Sequence, residues 1–432
     1  MLRSLVALGF TIGLLAMPGA AVTVDNAFNI FTGTGTGSCA SRLSKLEDFW
    51  MDTNTLASGL ATAFDTAEDK DATRDRVVAQ KLFTAWLGIK FDNSGDTPAI
   101  KDESSQSSMM AFMQNSDVLN KFVASGEYSS YKSPPRLFCD NFGDWFDWTD
   151  QAFDASGNPV ELNGVALTIE EMYEQVRQQA GYDSHRPYWI SDMGVYVFPK
   201  PTSNGDLCGA SANGNPLQGV SIPGYPEGYY QATVNGETEI IEYKAMEDIV
   251  LLCPDSFDSQ IPWEYDILAS LPEVEAEDGE YLYDAMPRSS TLFHELWHLV
   301  TFWMGLDKKI DQPITGRLTD HSYYTEQCLA LAAGWYKNIY AEQNVENYVF
   351  LAMSWWYWLE ENVAFYDGEP HAWDWVPEEG EDDDDAVVSD RWAPVASFGE
   401  CIRTNGGFLA IVIRDILPIP DLLDRSMYLA LS

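Results

Sequence analysis

Basic residues are scarce in this chain of 432 residues: 25 Lys and Arg stand against 67 Asp and Glu, a formal net charge of −42. A surface so acidic repels phosphate backbones and anionic headgroups, so neither a nucleic-acid nor a membrane partner is expected. Beyond the first residues no apolar run reaches the 18 or more that a spanning helix needs. No Asn-x-Ser/Thr sequon is present, which excludes ordinary N-glycosylation. No two cysteines form a CxxC pair, which argues against a thiolate metal site. Histidine is rarer still, with five in the whole chain.

What is present is apolar material: 46% hydrophobic and 13% aromatic residues, enough for a sizeable packed core. The N-terminus reads as an export signal, residues 1–21. Arg3 supplies the positive charge, Leu5 to Met17 the apolar run, and Pro18-Gly19-Ala20-Ala21 the small residues for cleavage near Ala20 or Ala21. A secreted, extracellular protein is therefore expected. Cys39, Cys139, Cys208, Cys253, Cys328 and Cys401 suit an oxidising compartment and are expected in disulfides, with about 15 full pairings open.

Along the chain, Val22 to Gly37 is small and polar and reads as a flexible lead-in. Ser41 to Leu87 carries helical periodicity, with Gly88 as a stop, and Asp92 to Ser107 reads as a loop. Trp189 to Phe198 is aromatic and β-branched and predicts a strand or hairpin. Thr202 to Gly228 is rich in Gly, Asn, Ser and Pro and predicts a surface insertion. Glu239 to Tyr243 and Ile249 to Cys253 predict strands. Helices are expected around His294 to Trp303, from about Asp320 to Tyr340, and from about Val345 to Glu361, where Trp355, Trp356 and Trp358 read as core.

The chemistry is concentrated in His294-Glu295-Leu296-Trp297-His298, an HExxH motif. On a helix, residues four apart share a face, so both imidazoles reach one Zn²⁺ at about 2.0–2.1 Å. Glu295 is then free to act as general base on a zinc-activated water, whose pKa falls to about 7. With so few histidines, a chance HExxH is expected in well under about one in a hundred such chains. A catalytic zinc usually has a third protein ligand. The pattern HExxHxxGxxH is absent, so the ligand comes from further along, and the candidates are Asp311, Asp320, His321 and Glu326.

Here the sequence resembles the aspzincins, the deuterolysin-type metalloendopeptidases. Asp320-His321-Ser322-Tyr323 matches the Asp-x-x-Tyr part of that family's Gly-Thr-x-Asp-x-x-Tyr-Gly motif. Cys328-Leu329-Ala330-Leu331-Ala332 is similar to its Cys-x-Ala-Leu-Ala helix, and Asn344-Val345-Glu346-Asn347-Tyr348 to its Asn-Ala-Asp-Asn-Tyr stretch. The resemblance covers about residues 245 to 350. It implies Asp320 as third ligand and Tyr323 as hydrogen-bond donor to the oxyanion. Arg317-Leu318-Thr319 and Tyr324 depart from the motif on either side. Glu326, in the manner of the gluzincins, and His321 remain alternative ligands.

The implied fold is α+β and zincin-like: mainly helical, with a small mixed sheet over the HExxH helix. Residues 22–432 would form a single enlarged catalytic domain, with its core at about 38–365 and an acidic loop insertion at 366–392. The expected activity is that of a monomeric, zinc-dependent endopeptidase acting on a protein or peptide substrate. The alternative is a secreted zinc-holding protein that binds a partner and cuts nothing.

Overall fold

Ile249, Val250, Leu251 and Leu252 form an uninterrupted apolar run, and all four are fully buried. A strand shows alternate side chains to opposite faces, so such a run needs cover on both sides. In the computed structural model of the chain, Val250 and Leu252 face one hydrophobic core and Ile249 and Leu251 a second. The model describes residues 22–372 apart from 72, 96, 128–133, 179–184, 200–205, 210–216, 235–236, 259–264, 275–280, 302–317 and 336–339. The expected signal segment, the acidic stretch 378–385 and Cys401 lie outside the described residues.

The strand Ile249–Leu252 sits inside a four-stranded mixed sheet. Arg136–Phe138 runs parallel to it, and Asn29–Ile30 runs parallel to Arg136–Phe138. Gly219–Ile222 closes the other side antiparallel, with Gly219 opposite Leu252 and Ser221 opposite Val250. Two expectations are corrected here. The lead-in holds a short helix, Val24–Ala27, and a sheet strand, because Phe28 and Ala27 are buried against the core. The segment Thr202 to Gly228 supplies the edge strand of the central sheet; its glycines and polar residues suit a close approach to a helix, described below.

The first core lies among helices. Leu43–Ala67, Glu103–Ser125 and Val345–Glu361 pack around Ser290–Thr301, the HExxH helix, and Arg74–Leu87 packs on Leu43–Ala67 and Val345–Glu361. Thr73 caps Arg74–Leu87 by accepting from the Arg76 N–H, and Gly88 ends that helix at φ 67°, as its position in the sequence predicts. Glu103–Ser125 starts inside the stretch expected to be a loop. Its polar surface residues hide the pattern, while Met109, Phe112, Leu119 and Phe122 carry the buried face and Asp102 caps it. Trp355 and Trp358 are buried in this core, where Trp355 donates to Thr62 Oγ1 at 3.0 Å.

The second core lies under a three-stranded antiparallel sheet of Asp144–Trp145, Tyr188–Ile190 and Val195–Val197, the last two forming the predicted hairpin. Gly228–Val234 and Glu237–Tyr243 make a further hairpin. The architecture is mixed α+β. Among the described residues no helix is long and apolar enough to cross a membrane.

Disulfides join Cys39 to Cys139 and Cys208 to Cys253. The second ties the end of the central strand to the segment that leads into the edge strand. Among the described residues Cys328, buried on the helix Thr325–Ala332, has no disulfide partner. Its sulfur accepts from Asn344 Nδ2 at 3.4 Å and so joins a polar network.

Candidate metal centre

Leu292, Phe293, Leu296, Leu299 and Trp297 are completely buried, so the HExxH helix is locked by apolar contacts on nearly every side. Each such side chain contributes about 1.5–3 kcal/mol relative to exposure. That rigidity fixes where His294 and His298, one turn apart, point. Their Nε2 atoms lie 3.2 Å from each other. Asp320 Oδ1 lies 3.1 Å from His294 Nε2 and 2.9 Å from His298 Nε2. The three residues form a group able to hold a metal ion, with ligand atoms all within 4.8 Å of one another.

The far ring nitrogens are also engaged. His294 Nδ1 donates to Glu346 Oε2 at 2.8 Å. His298 Nδ1 donates to the Leu318 carbonyl at 3.2 Å. Each bond fixes the ring plane and places a proton on Nδ1, so that Nε2 is the nitrogen a metal would take. Glu346 lies in the first turn of Val345–Glu361 and is buried.

Asp320 reaches the histidines from a non-helical segment. The helix expected to begin there starts at Thr325, so Asp320 and Tyr323 do not share a helical face. Backbone bonds hold the segment instead. Leu318 N donates to Thr301 Oγ1 at 3.2 Å, Thr319 N to the Gln343 carbonyl at 3.0 Å, and Val345 N to the Thr319 carbonyl at 3.3 Å. Asn344 Oδ1 accepts from His321 N at 2.8 Å and Ser322 N at 3.1 Å, while its Nδ2 donates to the Ser322 carbonyl and to Asn347 Oδ1. Asn344 is fully buried, so these bonds have no competing water.

The other sequence candidates stand apart from the cluster. His321 is exposed, and its Nε2 is 2.6 Å from Thr319 Oγ1. Glu326 is exposed on Thr325–Ala332, where its charge pushes up the Asp284 carboxyl already raised by burial. Asp311 lies outside the described residues. Tyr323 does join the site: its ring stacks on His294 with centroids 6.0 Å apart and planes 20° apart.

Charge is balanced within the group. Burial disfavours an imidazolium at His294, but the Asp320 and Glu346 carboxylates outweigh it and hold that ring's pKa well above its ordinary value. Asp320 is held well below the usual carboxylate range: desolvation is overcome by His298 and His294. Burial raises Glu295; both histidines oppose that shift and Asp320 adds to it. Desolvation and then the Asp320 carboxylate push the Tyr323 phenol up.

Glu295 is buried, and its Oε2 has no hydrogen-bond partner. An unpaired buried carboxylate oxygen costs about 1–3 kcal/mol. Such a group beside three converged donors suits a site that receives a cation and water. Two imidazole nitrogens and one carboxylate leave coordination positions open. Solvent reaches the group through Asp320, whose side chain is 29% exposed against 8% for His298.

Sequence patterns alone missed Glu346, Asn344, Gly219 and Ser221. A signal existed for Glu346: an acidic residue on the inward face of an otherwise apolar helix demands a buried partner. For Gly219 and Ser221 none existed, because their pairing partners are the distant Leu252 and Val250.

Compared with known protein families, curated proteins and solved structures, the chain matches none.

Proposed function

We propose that the chain is a secreted zinc-dependent endopeptidase of aspzincin-like type. The observation that carries this reading is the unpartnered Oε2 of buried Glu295, in electrostatic reach of His294, His298 and Asp320, which together could hold a metal ion. A mixed set of two imidazoles and one carboxylate favours zinc over calcium or magnesium, which take oxygen donors. Zinc bound there supplies Lewis acidity and lowers the pKa of a water to about 7.

The chain's own residues do the rest. His294, His298 and Asp320 hold the ion. Glu295 takes the proton of the attacking water on its free oxygen and returns it to the leaving amine. Tyr323, stacked beside His294, donates its phenol hydrogen to the oxygen of the scissile carbonyl as charge builds there. Its raised pKa keeps that hydrogen in place at neutral pH. Two disulfides fit the oxidising route that the N-terminal sequence implies.

The test is Glu295→Gln, which keeps shape and metal ligands but removes the base. Zinc content should equal that of the unsubstituted protein, and cleavage of an unfolded protein substrate should fall to background. Undiminished cleavage by E295Q sinks the mechanism. A zinc-loaded protein with no cleavage of any unfolded substrate replaces the peptidase with a zinc-holding binding protein.

A further inference from the structure

We propose that Gly219 is a positioning residue for Glu295: bare backbone at this place in the edge strand sets where the carboxylate of the base can lie. The inference rests on the reading of Glu295 as general base.

The edge strand Gly219–Ile222 lies directly on the HExxH helix and is bonded to it at two points. Ser221 Oγ donates to the Glu295 carbonyl at 2.9 Å. One residue before the strand, Gln218 Oε1 accepts from Thr291 Oγ1 at 3.0 Å. The backbone of Gln218 is itself held, since its carbonyl accepts from Cys253 N at 2.7 Å, and Cys253 is disulfide-bonded. Strand and helix therefore cannot slide apart to make room between them.

Gly219 sits between those two bonds. A Cβ on it would stand 2.9 Å from Glu295 Cγ, 2.9 Å from Glu295 Oε1 and 3.1 Å from Thr291 Cγ2. The first two distances are closer than carbon side chains approach. The backbone conformation at Gly219 is one that alanine also adopts, so the position needs glycine for space and not for φ. With the backbones stitched together, the atoms that must yield are those of the Glu295 side chain. The strand thereby acts on the base through the Glu295 side chain. Removing the missing Cβ as a variable is what lets Glu295 keep one oxygen against the strand and leave the other unpartnered.

Two measurements on Gly219→Ala test this. In the zinc-loaded protein, kcat should fall about 10- to 100-fold, in line with the cost of a displacement of about 1 Å at a catalytic group. KM and zinc affinity should stay within about twofold, since no ligand moves. Equal losses in zinc affinity or an unchanged kcat overturn the proposal. The second measurement needs no activity. G219A should lower the thermal unfolding midpoint of the metal-free protein, and in the Glu295→Ala background it should leave the midpoint unchanged or raise it. There the clashing side chain is gone, and only the loss of glycine's freedom in the unfolded chain remains. A similar decrease in both backgrounds overturns the proposal. If the protein cleaves nothing, the peptidase reading fails, while this coupling still reports whether Gly219 sets the Glu295 side chain.

Discussion

Glu346 accepts a 2.8 Å hydrogen bond from Nδ1 of His294 across 52 residues of sequence. The bond makes a helix with no metal ligand part of the metal site. Glu346→Leu fills the same space without the acceptor. Zinc affinity should fall about 10- to 100-fold, as it does when such orienting partners are removed. The metal-free protein should lose about 3–5 kcal/mol as well, because removing one partner of a buried pair leaves His294 Nδ1 without its acceptor. Competition with a chelator measures the affinity, and wild-type affinity in E346L refutes the orienting role. Glu346→Gln keeps an acceptor and should lie between the two.

Asn344 has a different part: it holds the backbone beyond Asp320 through His321 N, Ser322 N and the Ser322 carbonyl. Asn344→Leu strands those groups in a dry core. The metal-free protein should lose about 2–4 kcal/mol in denaturant unfolding. Zinc affinity should fall as well, since the Asp320 segment loses its anchor. A variant as stable as the parent would show that the network is replaceable.

Lys81 gives a stability prediction with a defined pH window. Burial pulls its amine from 10.5 to about 8, on a helix that packs the first core. Its nitrogen lies 5.3 Å from the centre of the Tyr366 ring. The unfolded chain binds the proton more tightly, so stability rises with pH between about 8 and 10.5. Below pH 8 the penalty of a buried charge is fully present. Lys81→Met should therefore be more stable than the parent at pH 7, with the difference shrinking as pH climbs to 10.5. Denaturant midpoints at pH 7, 9 and 10.5 check it; a pH-independent difference rejects the assignment.

The parts of the site visible in sequence were those with short-range rules. His294 and His298 share a helical face because of a four-residue spacing, and Gly88 ends a helix because of its φ. The run Ile249 to Leu252 declared a strand buried on both faces. The parts that stayed hidden depend on contacts between distant segments. The stretch after Asp320 has the composition of a helix start, yet bonds of Asn344 and Thr319 hold it out of the helix until Thr325. Gly219 and Ser221 sit in a stretch whose composition says surface loop, and only pairing with Ile249–Leu252 makes it a strand. Cys328 fits a disulfide by number alone, and sequence did not show that its sulfur would meet the Asn344–Asn347 network.

Asn344 and Glu346 are two residues apart at the start of one helix, and they hold the two halves of the cluster: one the backbone after Asp320, the other the ring of His294. The gauge between the halves is thus the two-residue step from the helix cap Asn344 to Glu346 in the first turn. Relatives of this chain should therefore keep the interval between Asn344 and Glu346.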